Sequence, residues 1–76
     1  MLELVEYMVR ALVDNPEDVR INEIAGETVL VYEVTVADPD IGKVIGRNGR
    51  IANALRAIVQ AAAMKVEKKA TVEIVS

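Results

Sequence analysis

No cysteine and no histidine occur among the 76 residues, and tryptophan and phenylalanine are missing as well. Without cysteine there is neither a disulfide framework nor a cysteine zinc site. Without histidine the chain lacks the usual general base and the commonest metal ligand. Two tyrosines, Tyr7 and Tyr32, are the only aromatics, too few for base-stacking platforms of the RRM or OB kind. Long apolar runs are absent too. The longest uncharged stretch, Ala57 to Met64, falls far short of the roughly 20 residues that span a bilayer. The start, Met1-Leu2-Glu3-Leu4-Val5-Glu6, carries acids early and lacks the basic opening of a signal peptide. A soluble, intracellular protein of one domain, residues 1–76, is the expectation.

What is present is apolar enough to fold. The hydrophobic fraction is 53%, although a chain this short lies near the lower limit of independent stability. The net charge of −3 argues against a nucleic-acid partner until the charges are placed. Between Pro39 and Gln60, Asp40 stands against Lys43, Arg47, Arg50 and Arg56, a local +3; the other 5 bases and 11 acids leave −6 elsewhere. Phosphates respond to the field within about 8–10 Å at physiological salt, so the basic segment counts for more than the total.

Periodicity predicts the elements. Leu2, Val5, Val9, Leu12 and Val13 recur at helical steps, and Asn15-Pro16 ends a helix over residues 2–14. Val19-Arg20-Ile21 alternates as a first strand, and Ile24 breaks the parity, which predicts a bulge or early turn. After a turn at Ala25-Gly26-Glu27, Thr28 to Ala37 forms the strongest strand, with Leu30, Tyr32, Val34 and Val36 on one face. Tyr32 is assigned to the core or the sheet surface. Asp38-Pro39-Asp40 opens a short helix, Ile41 to Ile45, by capping it. A second helix, Arg50 to Met64, carries an apolar stripe of Ile51, Leu55, Ile58, Val59 and Ala62. Lys65 to Lys69 forms a charged linker, and Ala70 to Val75 closes as a strand with Val72 and Ile74 inward. The order is α-β-β-α-α-β, an α+β fold with helices on one face of a three-stranded sheet.

Gly46-Arg47-Asn48-Gly49 interrupts the two later helices. Glycine reaches backbone angles costly to other residues and has no side chain to hold a ligand away. The following helix begins at Arg50, so its free N–H groups and positive dipole end face the same spot. Lys43, Arg47 and Arg50 supply positive charge, and Asn48 a neutral donor and acceptor. Ile41, Val44, Ile45 and Ala52 can line an apolar groove beside the loop, where unstacked bases lie while phosphates ride on the glycines. Gly42 is read as a packing residue, Asp38 and Asp40 as caps, and Arg56 and Lys65, Lys68 and Lys69 as solvated. The alanines along the second helix either favour helix or present a flat face to a partner.

The run Val44-Ile45-Gly46-Arg47-Asn48-Gly49-Arg50-Ile51 resembles the KH signature, whose GXXG loop clamps about four nucleotides. The order of elements resembles the type II, or prokaryotic, KH topology. The wider run Asp40 to Ala52, with the closing Val72-Glu73-Ile74-Val75, is similar to the KhpA-like small bacterial RNA-binding proteins across essentially the whole chain. Many KH domains carry a large aliphatic three residues after the second glycine; here Ala52 holds that position and Ile51 precedes it. The resemblance implies binding of single-stranded RNA, cytoplasmic location, no cofactor, no metal and no catalysis. It further implies work as an RNA chaperone or post-transcriptional regulator with a larger KhpB-like RNA-binding partner; weak binding by so small a site makes a homodimer the other expectation. A different class, a protein-interaction adaptor with RNA contact secondary, fits the acidic body.

Overall fold

The computed structural model describes residues 1–75, and the strongest sequence signal in it becomes the central strand. Leu30, Tyr32 and Val34 of β2 (Val29–Thr35) alternate inward, and Val36 continues the row just past the strand. β1 (Arg20–Ala25) pairs with β2 antiparallel, with Ile21 opposite Val34 and Ala25 opposite Leu30. β3 (Lys69–Ile74) pairs with the other edge of β2 in parallel, with Ala70 opposite Leu30 and Val72 opposite Tyr32. The sheet order is therefore β1-β2-β3, and a parallel neighbour reached only through a crossover requires the helices in between.

Those helices cover one face of the sheet. α1 (Leu2–Leu12) buries Val5 and Val9, α2 (Ile41–Ile45) buries Val44, and α3 (Arg50–Met64) buries Ala52, Leu55, Val59 and Ala63. Most of these side chains form one cluster with the inward residues of β2 and β3. Valine dominates that cluster and Tyr32 is its one aromatic. Tyr32 is fully buried and donates its hydroxyl to Glu23 Oε2, its cross-strand neighbour, at 2.6 Å. Burial, then the hydrogen bond and the charge of Glu23, push the Tyr32 phenol well above its ordinary pKa.

Four expectations are corrected. α1 ends at Leu12 rather than at residue 14, because Val13 turns extended and the next two amides bond elsewhere. β1 runs through Ile24 without a bulge; Ile24 pairs with Val31 and leaves its side chain exposed on an edge strand. The buried row of α3 is displaced by about one residue from the expected one: Ala52 and Ala63 face the sheet, whereas Ile58 is exposed. Small side chains let α3 lie close to β3. Gly42 packs against nothing, since a Cβ built there meets no atom within 4 Å.

Candidate nucleic-acid interface

The connection between α2 and α3 is a single tight turn over Arg47–Gly49. Three of the four residues Gly46 to Gly49 lie at positive φ: Gly46 at 75°, Asn48 at 56° and Gly49 at 74°. Asparagine tolerates the left-handed region better than most side chains, and glycine enters it freely. Gly46 is required for a second reason. A Cβ there would stand 2.6 Å from Ile51 Cγ1, because Ile51 in the first turn of α3 folds back over the loop. Gly49 has no such crowding; its nearest neighbour is Asn53 Nδ2 at 4.0 Å. Ile51 therefore braces the loop from inside and leaves its outer side open.

That outer side carries Arg47 and Asn48, both exposed, with exposed Arg50 beside them. Gly49 N–H bonds to Gly46 O, and Arg50 N–H to Arg47 O. The amides of Arg47 and Asn48 donate to no backbone carbonyl among the described residues. Successive free amides in a turn, next to a helix start, form a concavity suited to an anionic oxygen.

Lys43 is placed differently from Arg47 and Arg50. Its ammonium lies 3.0 Å from Asp14 Oδ2 and 3.5 Å from Asp40 Oδ1. Asp14, by hydrogen bond and charge, raises the Lys43 pKa; partial burial opposes this and Asp40 assists it. Among the described residues these are the only ion pairs, so Arg47, Arg50 and Arg56 have no carboxylate partner. The positive face of the segment is thus arginine.

Asp40 is no helix cap: its side chain makes no capping bond, and neither does that of Asp38. It is fully buried and accepts Asp14 N–H at 3.2 Å, Asn15 N–H at 3.0 Å and Asn15 Nδ2 at 3.1 Å. One carboxylate thereby fastens the end of α1 to the start of α2. Burial pushes its carboxyl up; the hydrogen bonds from Asn15, Asp14 and Lys43 together outweigh that and hold it below the ordinary aspartate value.

The expected groove lining divides. Ile41 and Ile45 are half-buried beside the loop and keep apolar surface at hand. Val44 and Ala52 are 0% and 4% exposed, so they form the support beneath and offer no surface to a base. Sequence reasoning left out Asn53 altogether. Its signal was spacing: Gly49, Asn53, Arg56 and Gln60 fall at i, i+4, i+7 and i+11 on one face of α3. A second feature of α3 is its displaced stripe. Ile51, Ala54 and Ile58 face Tyr7, Met8 and Leu12 of α1 across a shallow apolar recess of about 390 Å³. Tyr7 is 75% exposed and Ile58 47%.

A parallel βααβ unit interrupted by a two-glycine turn, preceded by a helix and an antiparallel strand, defines a type II KH domain. The family described as KhpA/KhpB, KH domain, matches residues 2–74, and the chain belongs to that family. The RNA-binding protein KhpA of Clostridium perfringens is 53% identical over 75 residues, 99% of this chain and 100% of the relative. That of Caldanaerobacter subterraneus subsp. tengcongensis is 52% identical over 75 residues, again 99% and 100%. The KhpA protein of Chlamydia pneumoniae is 42% identical over 74 residues, 97% and 95% of the two chains. No solved structure matches the chain. No helix among the described residues is long and apolar enough to cross a membrane.

Proposed function

We propose that this chain binds single-stranded RNA at the turn Gly46-Arg47-Asn48-Gly49 and acts in the cytoplasm as an RNA chaperone or post-transcriptional regulator. One observation carries the reading: an exposed turn whose two amides and two arginines have no backbone or carboxylate partner among the described residues sits on a braced scaffold. The relatives' name, RNA-binding protein, agrees with it. Gly46 and Gly49 let a phosphodiester reach the backbone, Arg47 and Arg50 neutralise it, and Asn48 hydrogen-bonds to it. Ile41 and Ile45 give the neighbouring bases an apolar edge. Lys43 contributes at the margin, since two carboxylates already hold it. The chain binds and holds; it does not carry out a reaction.

Replacing Arg47 and Asn48 together by aspartate turns a local charge of +1 into −2. Affinity for single-stranded RNA is expected to fall at least about tenfold, with a shallower salt dependence. Circular dichroism checks the fold and fluorescence anisotropy reads the binding. A folded variant with undiminished affinity removes the reading.

A site with two or three cations binds on the order of micromolar or more weakly at physiological salt. Useful occupancy then requires a second binding surface. The apolar recess between α1 and α3 supplies one, and we assign it to a second copy of this chain, which doubles the loops presented to one strand. Ile58→Asp is expected to lower the sedimentation mass and to weaken binding of long RNA more than that of short RNA. A wild type that stays single but gains mass with a KhpB-like protein transfers the recess to that partner. RNA affinity lost with no change in mass removes the pairing.

A further inference from the structure

Of the three cations around the glycine turn, Lys43 is already engaged, whereas Arg47 and Arg50 meet no carboxylate among the described residues. The Lys43 ammonium stands 3.0 Å from Asp14 Oδ2 and 3.5 Å from Asp40 Oδ1. These two acids differ in how firmly they are held. Asp40 is fully buried, and its carboxylate is taken up by Asp14 N–H, Asn15 N–H and Asn15 Nδ2. The Asp14 side chain is 74% exposed, and the Lys43 side chain 43%. Water reaches both ends of that pair, so its strength is that of a surface ion pair, which is small. Asp14 is the partner that Lys43 can leave.

A second partner for Lys43 lies one helical turn away. Lys43 is in the last turn of α2, three residues before Gly46, or about 4.5 Å along the axis. Gly46 N–H bonds back to Gly42 O, so the glycine turn follows the helix directly. The next two amides, of Arg47 and Asn48, are those that donate to no backbone carbonyl among the described residues. A helical Cα–Cβ bond leans toward the N-terminus, which directs Lys43 to the two acids in the free protein. Its flexible four-carbon stem lets the ammonium swing the other way, toward the turn. Asp14 cannot follow. It reaches α2 because its own N–H is bonded to Asp40 Oδ1 at 3.2 Å, 26 residues on. That bond belongs to the backbone, so it survives a change of side chain at position 14.

Resting on the binding of RNA at the glycine turn, we infer that Asp14 limits that binding by competing with a phosphate of the strand for Lys43. In the free protein the Asp14 carboxylate neutralises the ammonium. In the complex the ammonium crosses to the phosphodiester and leaves that carboxylate to water. The exchange replaces one ion pair by another, so it adds less affinity and a weaker salt dependence than an unpaired lysine would. Asp14 is a positioning residue: it acts through Lys43 and touches no RNA.

The experiment titrates the full chain, Asp14→Asn, Lys43→Gln and the double variant with a labelled uridine octamer across a salt series. Asp14→Asn is expected to bind about two- to fivefold more tightly at low salt. Its slope of log affinity against log salt is expected to steepen by about 0.7, the share of one further phosphate on a single strand. In the Lys43→Gln background the same substitution is expected to lose that gain and leave the slope where it was. Thermal melts check the fold of each chain, and Asp14→Ser repeats the test if the asparagine disturbs Asp40. A gain of equal size without Lys43 shows that Asp14 acts through the general field alone, and overturns the inference. A folded Asp14→Asn with unchanged affinity and slope does the same. Either result leaves the loop reading intact. Failure of the wild type and every variant to bind the octamer overturns both.

Discussion

Gly46→Ala is expected to cost about 2–5 kcal/mol. Its backbone, at positive φ with ψ at 175°, is essentially reserved for glycine and accounts for about 1–2 kcal/mol of that. Overpacking against Ile51 accounts for about 1–3 kcal/mol, because the new methyl would meet Cγ1 at 2.6 Å and Cβ and Cδ1 at 3.0 Å. A domain of this length has only about 4–11 kcal/mol in total. The melting temperature should therefore fall by about 10 °C or more, at about 4–8 °C per kcal/mol. Gly49→Ala carries the backbone cost alone, since its Cβ meets only Asn53 Nδ2 at 4.0 Å. Urea unfolding of both variants, and of Gly46→Ala combined with Ile51→Ala, isolates the packing part as a coupling energy. Equal losses at positions 46 and 49, with no coupling to Ile51, would show that the bracing contact carries no weight.

Asp40→Ala is the second large loss. Removing the carboxylate strands two part-buried amides and the Asn15 side chain, and frees Lys43 from one of its two partners. A fall in melting temperature on the order of 10 °C is expected, since an uncompensated donor cluster is among the costliest single defects. Asp40→Asn places an amide N–H where only acceptors fit and should lose less, but still clearly. The sign of the pH dependence follows from the lowered carboxyl pKa. The contribution of Asp40 is complete above the unfolded-chain value of about 3.9. It drains away as pH falls from there through the lower folded value. The gap in stability between wild type and Asp40→Asn should therefore be constant near neutrality and close in acid. Parallel curves down to the acid limit would contradict the assignment.

Local pattern made most of the architecture readable. The alternation of Leu30, Tyr32, Val34 and Val36 placed the central strand and its face, and all four are buried. The glycines at 46 and 49 placed the break between helices within a residue. The misreadings come from side chains whose role depends on a distant element. Asp40 looked like a cap because its true partners lie 25 and 26 residues earlier. Ile51 and Ile58 outweighed Ala52 and Ala63 on hydropathy, yet close approach to the sheet selects small residues for the inner row. Arg56 read as solvated because its acceptor, Val72 O, lies 16 residues on, across the crossover. At the site, the loop and its charges were visible; the occupation of Lys43 by two acids and the core position of Val44 were not. The Asp14 contact and the burial of Val44 depend on elements distant in sequence, which no local spacing reveals, whereas Asp40 stands only three residues before Lys43.

The parallel pairing of β2 with β3 has a consequence for the order of assembly. Residues 69–74 follow every other element in the chain, and they provide both the second partner of β2 and the carbonyl on which Arg56 rests. In a chain made N-terminus first, β1, β2 and the glycine turn are all in place along the chain before the strand that completes the sheet is made. During that interval α3 has no strand wall to lie against, and the sheet stays one strand short of closing the core.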